Sequence, residues 1–290
     1  MAADEQGSST IEPMADDVPW AVFAASARGA AHDASGLPNQ DAHASVSVAE
    51  VPVVVTAVAD GHGHFRHFRA RRGAELAVAV ACQRAQGLGP QFEALGAPAE
   101  RAAFARSTLV PAVVAAWRDA VAADLAESPF TLEEDAVRVA SADDPVIAYG
   151  TTLLLAVLAE HWVLVAQIGD GDVIALRADG EVVVPVPGDP TLDGQYTTSL
   201  CQESAVRSFR IAVIGQSATP LLALMMATDG FGNAQASDPW PPAVGADIVA
   251  MLRSHGGAWV GEQLPAWTEQ CASKEGSGDD TTVVLAVRRP

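Results

Sequence analysis

Lysine is nearly missing from this chain. Lys274 is the only one in 290 residues, and 17 basic side chains face 36 acidic ones for a net charge of −19. So acidic a chain is repelled by nucleic acid and by anionic membrane surfaces, so neither is expected as a partner. Cysteine is scarce as well: Cys82, Cys201 and Cys271 are odd in number, widely spaced and form no CxxC pair. That excludes a disulfide framework and points to a reducing, cytoplasmic setting. Met1–Pro19 lacks a basic segment running into an apolar core, so no signal peptide is expected there. The longest apolar stretch, Thr152–Ile168, is broken by Glu160 and His161 and reads as two strands and a turn, not a membrane span.

What the chain does have is apolar bulk, 49% of its residues by the usual classes, enough for a substantial core. Residues 1–19 carry Asp4, Glu5, Glu12, Asp16 and Asp17 with no basic residue and are expected to form a disordered acidic tail. From residue 20 to 290 no composition shift marks a boundary, so a single domain is expected. Strands are predicted at Trp20–Ala27, Ala44–Val48, Val53–Val58, Thr152–Leu158, Val163–Ile168, Val173–Arg177, Glu181–Val186, Val206–Ile214, around Leu221–Ala227, and at Thr281–Val287. Gly73, Leu76, Ala77, Val80 and Ala81 recur at helical spacing, and a second helix lies within Ala99–Glu127, started or kinked by Pro111. Two further helices are expected at Ala243–Ser254 and Gly257–Cys271, while Glu127–Ala148, with Pro129 and Pro145, reads as a loop. Gly188–Ser199 is a polar excursion. Short connections favour hairpins, so the pattern predicts an α+β fold with sheets covered by helices.

Three acidic punctuations abut these strands: Asp60-Gly61-His62-Gly63, Asp229-Gly230 and Gly278-Asp279-Asp280. Asp170 adds a fourth acid at a strand end. Carboxylates gathered at one sheet edge raise one another's pKa, a conflict that hard divalent cations resolve. Oxygen-only ligands suit Mg or Mn, which makes a metal-dependent hydrolase the leading reading. Each motif alone also fits a plain strand-ending turn.

Together, in order, they resemble the metal-dependent serine/threonine protein phosphatases of the 2C type, over about Ala24 to Val287. Gly36-Leu37-Pro38-Asn39-Gln40-Asp41-Ala42 resembles that family's first acidic motif, and Asp60-Gly61-His62-Gly63 its most recognisable one. Tyr149-Gly150-Thr151-Thr152 resembles its GTT segment, Gly169-Asp170-Gly171-Asp172 its GDSR-like turn, Asp229-Gly230 its DG, and Gly278-Asp279-Asp280-Thr281-Thr282-Val283 its closing DNxTV. The resemblance implies a four-layer αββα sandwich, two antiparallel β-sheets flanked by pairs of helices. It implies two Mn2+ or Mg2+ ions: Asp60 bridging both, the Gly61 carbonyl on the second, Asp229 and Asp279 on the first, and Asp41 acting through water or as an outer ligand. Two such ions share a hydroxide that attacks phosphoserine or phosphothreonine, with His62 the candidate general acid. The implied partner is a phosphorylated protein, a Ser/Thr kinase or its target among the candidates, in bacterial signalling.

The departures are specific. Where many family members carry a phosphate-binding Arg, five residues before Asp41, this chain has Gly36. Asp280 replaces the closing Asn, Asp172 replaces the Arg of the GDSR-like turn, and Asn233 stands where an acid would join Asp170 at a third ion. Arg66, Arg69, Arg71 and Arg72 follow the first Asp-Gly-His-Gly, and one of them is a candidate replacement for the missing Arg; a solvated helix end is the plainer reading. His62, His64 and His67 do not have zinc-motif spacing. Trp117, Trp162, Trp259 and Trp267 read as core or edge aromatics. The rival to an enzyme is a catalytically weak or inactive phosphatase-like regulatory module; a metal phosphodiesterase or nuclease fits the acids but not the charge.

Overall fold

The computed structural model describes residues 10–11, 18–48, 51–140, 144–186, 188, 197–215, 219–237 and 239–289. Its strands are β1 (Thr10–Ile11), β2 (Trp20–Ala27), β3 (Ala42–Ser47), β4 (Val54–Ala59), β5 (Leu153–Leu158), β6 (Trp162–Ile168), β7 (Asp172–Arg177), β8 (Val182–Val183), β9 (Arg210–Gly215), β10 (Leu221–Ala227) and β11 (Thr281–Arg288). They form two sheets, β1-β2-β11-β10-β7-β8 and β3-β4-β5-β6-β9, and every pairing is antiparallel. The helices are α1 (His32–Ser35), α2 (Ala70–Gly87), α3 (Gly89–Ala94), α4 (Pro98–Phe104), α5 (Val110–Glu127), α6 (Leu132–Ala140), α7 (Ala205–Ser208), α8 (Asp229–Asn233), α9 (Pro241–His255) and α10 (Gly257–Ala272).

Both faces of each sheet are buried, which is why the central strands are apolar without alternation. In β5, Leu153, Leu155 and Val157 pack under the helical layer containing Val113 and Trp117, whereas Leu154, Ala156 and Leu158 face the other sheet. In β11, Val284 and Ala286 join that central core, while Val283, Leu285 and Val287 pack with Ile248 of α9 and Val260 of α10. Three stacked cores give the four layers, helices–sheet–sheet–helices, that the resemblance implies.

The strand expectations hold in position, with ends moved by a residue or two, except at two places. Only Val182–Val183 of the expected Glu181–Val186 strand pairs, and the strand expected from Val206 starts at Arg210, after the short turn of α7. Between α4 and α5 the ladder loosens into a π-helical turn, Ala105–Leu109, just ahead of Pro111, which cannot donate a backbone hydrogen bond. The loop expected over Glu127–Ala148 instead holds α6 and a 3-10 turn, Pro145–Tyr149. None of the residues of α6 is buried, and its apolar face, with Leu132 and Val139, is exposed; acidic composition and the flanking Pro129 and Pro145 are what make the segment read as a loop. It is held by its end: Arg69 forks onto both Glu134 oxygens at 2.9 Å. Within the expected tail, Thr10–Ile11 pairs with Ala24 and Phe23. The rest of that tail to residue 17, and most of the Gly188–Ser199 excursion, lie outside the described residues. Trp259, expected in the core or at its edge, is 37% exposed.

Candidate active site

Antiparallel pairing places the end of one strand beside the start of its neighbour. Ala59, which ends β4, faces Ala42, which starts β3; Ala227, which ends β10, lies beside Val283 on one side and Asp172 on the other. Asp41, Asp60, Asp170, Asp229 and Asp279, from both sheets, therefore emerge at one edge. Asp60, Gly61, His62, Asp170, Asp229 and Asp279 line a cavity there of about 490 Å³, and Asp41 is buried behind it.

The backbone at Asp60 is clamped. Its amide donates to Thr152 Oγ1 at 3.0 Å, and its carbonyl accepts from Thr151 Oγ1 at 2.8 Å and from the Thr152 amide at 2.9 Å. A Cβ on Gly61 would stand 2.6 Å from the Gln40 carbonyl oxygen and 2.8 Å from the Ala70 carbonyl carbon, so only glycine fits between those two backbones. The His62 amide donates to Gly150 O at 3.1 Å. Thus the Gly150-Thr151-Thr152 segment, legible in the sequence only as part of a resemblance, is the brace that aims Asp60 and His62.

Electrostatically the site is a set of carboxylates without enough counter-charge. Desolvation raises the Asp60 pKa well above the ordinary value, and Asp41, Asp229, Asp279 and Asp170 push it the same way. Asp229 is raised to about 6, first by desolvation and then by Asp170 and Asp279, and its carboxyl lies within hydrogen-bonding reach of Asp60. Desolvation also raises Asp41; Thr228 Oγ1 satisfies its Oδ2 at 2.9 Å, while its buried Oδ1 has no hydrogen-bond partner among the described residues. Buried, crowded and all-oxygen, these groups fit hard divalent cations. Among the described residues, no three His, Cys, Asp or Glu side chains are grouped to hold one ion.

Three neighbours behave differently from the expected ligands. Asp280 is buried and accepts from the amides of Gly29 at 2.7 Å and Gln40 at 2.6 Å, with His32 Nδ1 at 3.2 Å, so it braces the loops around Asp41. Asn233 donates to Asp229 Oδ2 at 3.1 Å, and Asp170 and Asp172 share a side cavity with both. Asp172, where the resemblance leads one to expect an Arg, is pushed up to about 7 by desolvation and by Asp229 and Asp170. Burial, with help from His67 and Arg66, lowers His62 to about 3, so its ring is neutral in the unliganded site. The His62 and His67 rings meet edge to face at 4.9 Å, and both ring nitrogens of His67 are engaged by Ile147 O and Arg66 Nε, which removes it as a metal ligand.

A model of the family described as protein phosphatase 2C matches residues 28–268. No curated protein sequence matches the chain. Among solved structures, a bacterial serine phosphatase superposes with a TM-score of 0.61 at 15% identity, covering 92% of this chain and 97% of that one. The catalytic domain of the serine/threonine protein phosphatase PstP, in complex with two manganese ions, gives 0.52 at 19% identity, covering 92% and 97%. PppA, a regulatory component of the T6SS in Pseudomonas aeruginosa, gives 0.56 at 15% identity, covering 93% and 98%. These structures share the fold, and the family match spans most of the sequence. The chain therefore belongs to the protein phosphatase 2C family of metal-dependent serine/threonine protein phosphatases.

Proposed function

We propose that residues 20–290 form one catalytic unit that hydrolyses phosphoserine and phosphothreonine in proteins, using two Mn2+ or Mg2+ ions. The observation that carries this is the convergence of Asp60, Asp170, Asp229 and Asp279, from both sheets, on one cavity, where desolvation and the charges of the other three raise the pKa of Asp60. Only bound cations or protons allow that arrangement to persist at neutral pH, and the family match favours cations. The PstP neighbour, which carries two manganese ions, supports the same choice. Asp60 and the Gly61 carbonyl would hold the ions together with Asp229 and Asp279, Asp41 would act from behind through its unpaired oxygen, and Asp170 is the candidate for a third ion. When bound, the cations supply Lewis-acid charge and an activated water for in-line attack at phosphorus.

The protein's own part is positioning. Thr151 and Thr152 fix Asp60, Gly150 fixes His62, and Thr228 fixes Asp41. A phosphate dianion docking beside His62 raises its low pKa, the condition under which it donates to the leaving oxygen. Among the described residues no helix is long and apolar enough to cross a membrane. The family match supports a phosphoprotein partner, a kinase or its target in bacterial signalling, and the three widely spaced cysteines support a cytoplasmic setting.

The test is phosphate release from a phosphothreonine peptide with and without Mn2+, wild type against Asp229→Ala. Mn-dependent release lost in the variant is expected. No release from wild-type protein that binds Mn2+ would overturn hydrolysis and leave a regulatory phosphatase-like module.

A further inference from the structure

The cavity at the acidic edge is lined by five aspartates, Asp60, Asp170, Asp229, Asp279 and Asp280, and by a single Arg or Lys among the described residues, Arg66. A phosphate monoester carries up to two negative charges and needs cationic or N–H partners on the side the metals do not cover. The neighbouring arginines are already committed. Arg69 is held by Glu134, Tyr149 Oη and the carbonyls of Ser128 and Pro129. Arg71 pairs with Glu75, and Arg72 with Asp124 and Glu75. Arg118, behind the cavity wall, donates to the Gln202 carbonyl and lies 4.0 Å from Asp144. No carboxylate among the described residues pairs with Arg66, although the chain has about twice as many acids as bases.

Arg66 is also held in place, by a neutral partner. His67 is buried, and its Nδ1 lies 2.5 Å from Ile147 O. A carbonyl only accepts, so Nδ1 carries the proton and Nε2 is left as an acceptor. Arg66 Nε donates to that Nε2 at 3.0 Å. The contact consumes one of the five guanidinium donors, cancels no charge and fixes the stem, leaving the two terminal nitrogens for a ligand. Two such nitrogens match two phosphate oxygens side by side, a fit that a lysine ammonium lacks.

We propose that Arg66 is the residue that grips the substrate's phosphate: a guanidinium set by the His67–Ile147 relay on the His62 side of the cavity, taking a phosphorylated serine or threonine side chain two oxygens at a time. The proposal deepens the phosphatase reading and rests on it for the identity of the ligand. Arg66 is a binding residue, and His67 a positioning residue that acts through it.

The experiment uses the full-length protein with Mn2+ and one phosphothreonine peptide, measuring kcat, KM and the Kd of the peptide by calorimetry. The proteins are wild type, Arg66→Ala, Arg66→Lys, and Arg71→Ala as an exposed control. Arg66→Ala is expected to raise KM and Kd about 10- to 100-fold, the loss associated with charge-assisted hydrogen bonds. Arg66→Lys should recover only part of it, and Arg71→Ala should match wild type. His67→Gln, which keeps a side-chain acceptor but not the ring relay, should raise KM more than it lowers kcat. Unchanged KM and Kd in Arg66→Ala would overturn the assignment, as would a fall in kcat alone, and turnover in that case leaves the phosphatase reading standing. Peptide binding that depends on Arg66 without any turnover would support the grip and sink hydrolysis instead. A wild-type protein that neither binds nor cleaves the peptide would overturn both.

Discussion

The Thr228 hydroxyl donates to Asp41 Oδ2 at 2.9 Å and at the same time accepts from the Thr282 amide at 2.9 Å. Thr228 follows β10 and Thr282 lies in β11, adjacent central strands of one sheet, and Asp41 leads into β3 of the other, so one hydroxyl locks the two sheets together behind the site. Replacing it by an isosteric methyl leaves a buried carboxylate oxygen and a buried amide unpaired. Thr228→Val should therefore lose about 1–3 kcal/mol of stability in denaturant unfolding. Thr228→Ser should lose much less. Equal loss in both would assign the effect to packing of the methyl group rather than to the hydrogen bonds.

Asp60→Asn should act in opposite directions with and without metal. In metal-free protein, Asp60 is a desolvated acid pressed by Asp41 and Asp229, so removing its charge relieves repulsion and should raise Tm. Saturating Mn2+ should stabilise the wild type by about 2.7 kcal/mol at a hundredfold excess over Kd. It should stabilise Asp60→Asn little. A variant less stable than wild type in EDTA would mean that the carboxylate has a structural role instead.

The Arg69–Glu134 fork should give the chain an acid-labile contribution to stability. Hydrogen bonds from Arg69 lower the Glu134 pKa from 4.5 to about 2. A depressed carboxylate pKa means that the contribution is complete above the unfolded value of 4.5 and fades as pH falls toward 2. Glu134→Gln should cost about 2 kcal/mol at pH 7, and the gap to wild type should close between those two pH values. A gap that is constant with pH would mean that the charge contributes nothing.

That same contact shows where sequence reading stopped. The central strands were legible because burial on both faces demands unbroken apolar runs, and the Asp-Gly steps were legible because antiparallel strands must end somewhere in common. α6 was not legible because its acidic first turn and the flanking Pro129 and Pro145 resemble a loop, and its apolar Leu132 and Val139 stay exposed. A different signal was present: Thr131 and Glu134 form a capping box, with the Glu134 amide donating to Thr131 Oγ1 at 3.1 Å and the Thr131 amide to Glu134 Oε2 at 2.9 Å. Of the site, the acid positions could be read from strand ends. The braces could not, because Thr151, Thr152 and Thr228 acquire their roles only when segments 91 or more positions apart are brought together. Nor could the sequence choose among four arginines, since what distinguishes Arg66 is that the other three found acidic partners.

Gly73 allows the packing of α2 to be tested against helix propensity. Inside an exposed helix, Gly→Ala stabilises by about 1 kcal/mol, because glycine gives up more backbone freedom on folding. At Gly73 a Cβ would lie 1.9 Å from the Tyr149 carbonyl oxygen, and the neighbouring Gly73 carbonyl accepts from Trp117 Nε1 at 3.0 Å. Backbone cannot yield there without moving the 3-10 turn that ends in Tyr149. Gly150 follows that turn, and its carbonyl holds the His62 amide at 3.1 Å. Gly73→Ala should therefore lose about 1–3 kcal/mol of stability and reduce activity through displacement of His62. Gly87, at the other end of α2, has nothing within 4 Å of a built Cβ. Gly87→Ala should be neutral or slightly stabilising, with activity unchanged. Similar unfolding midpoints for the two variants would show that propensity outweighs this contact, and that α2 and the Tyr149 turn are not as tightly engaged as their geometry requires.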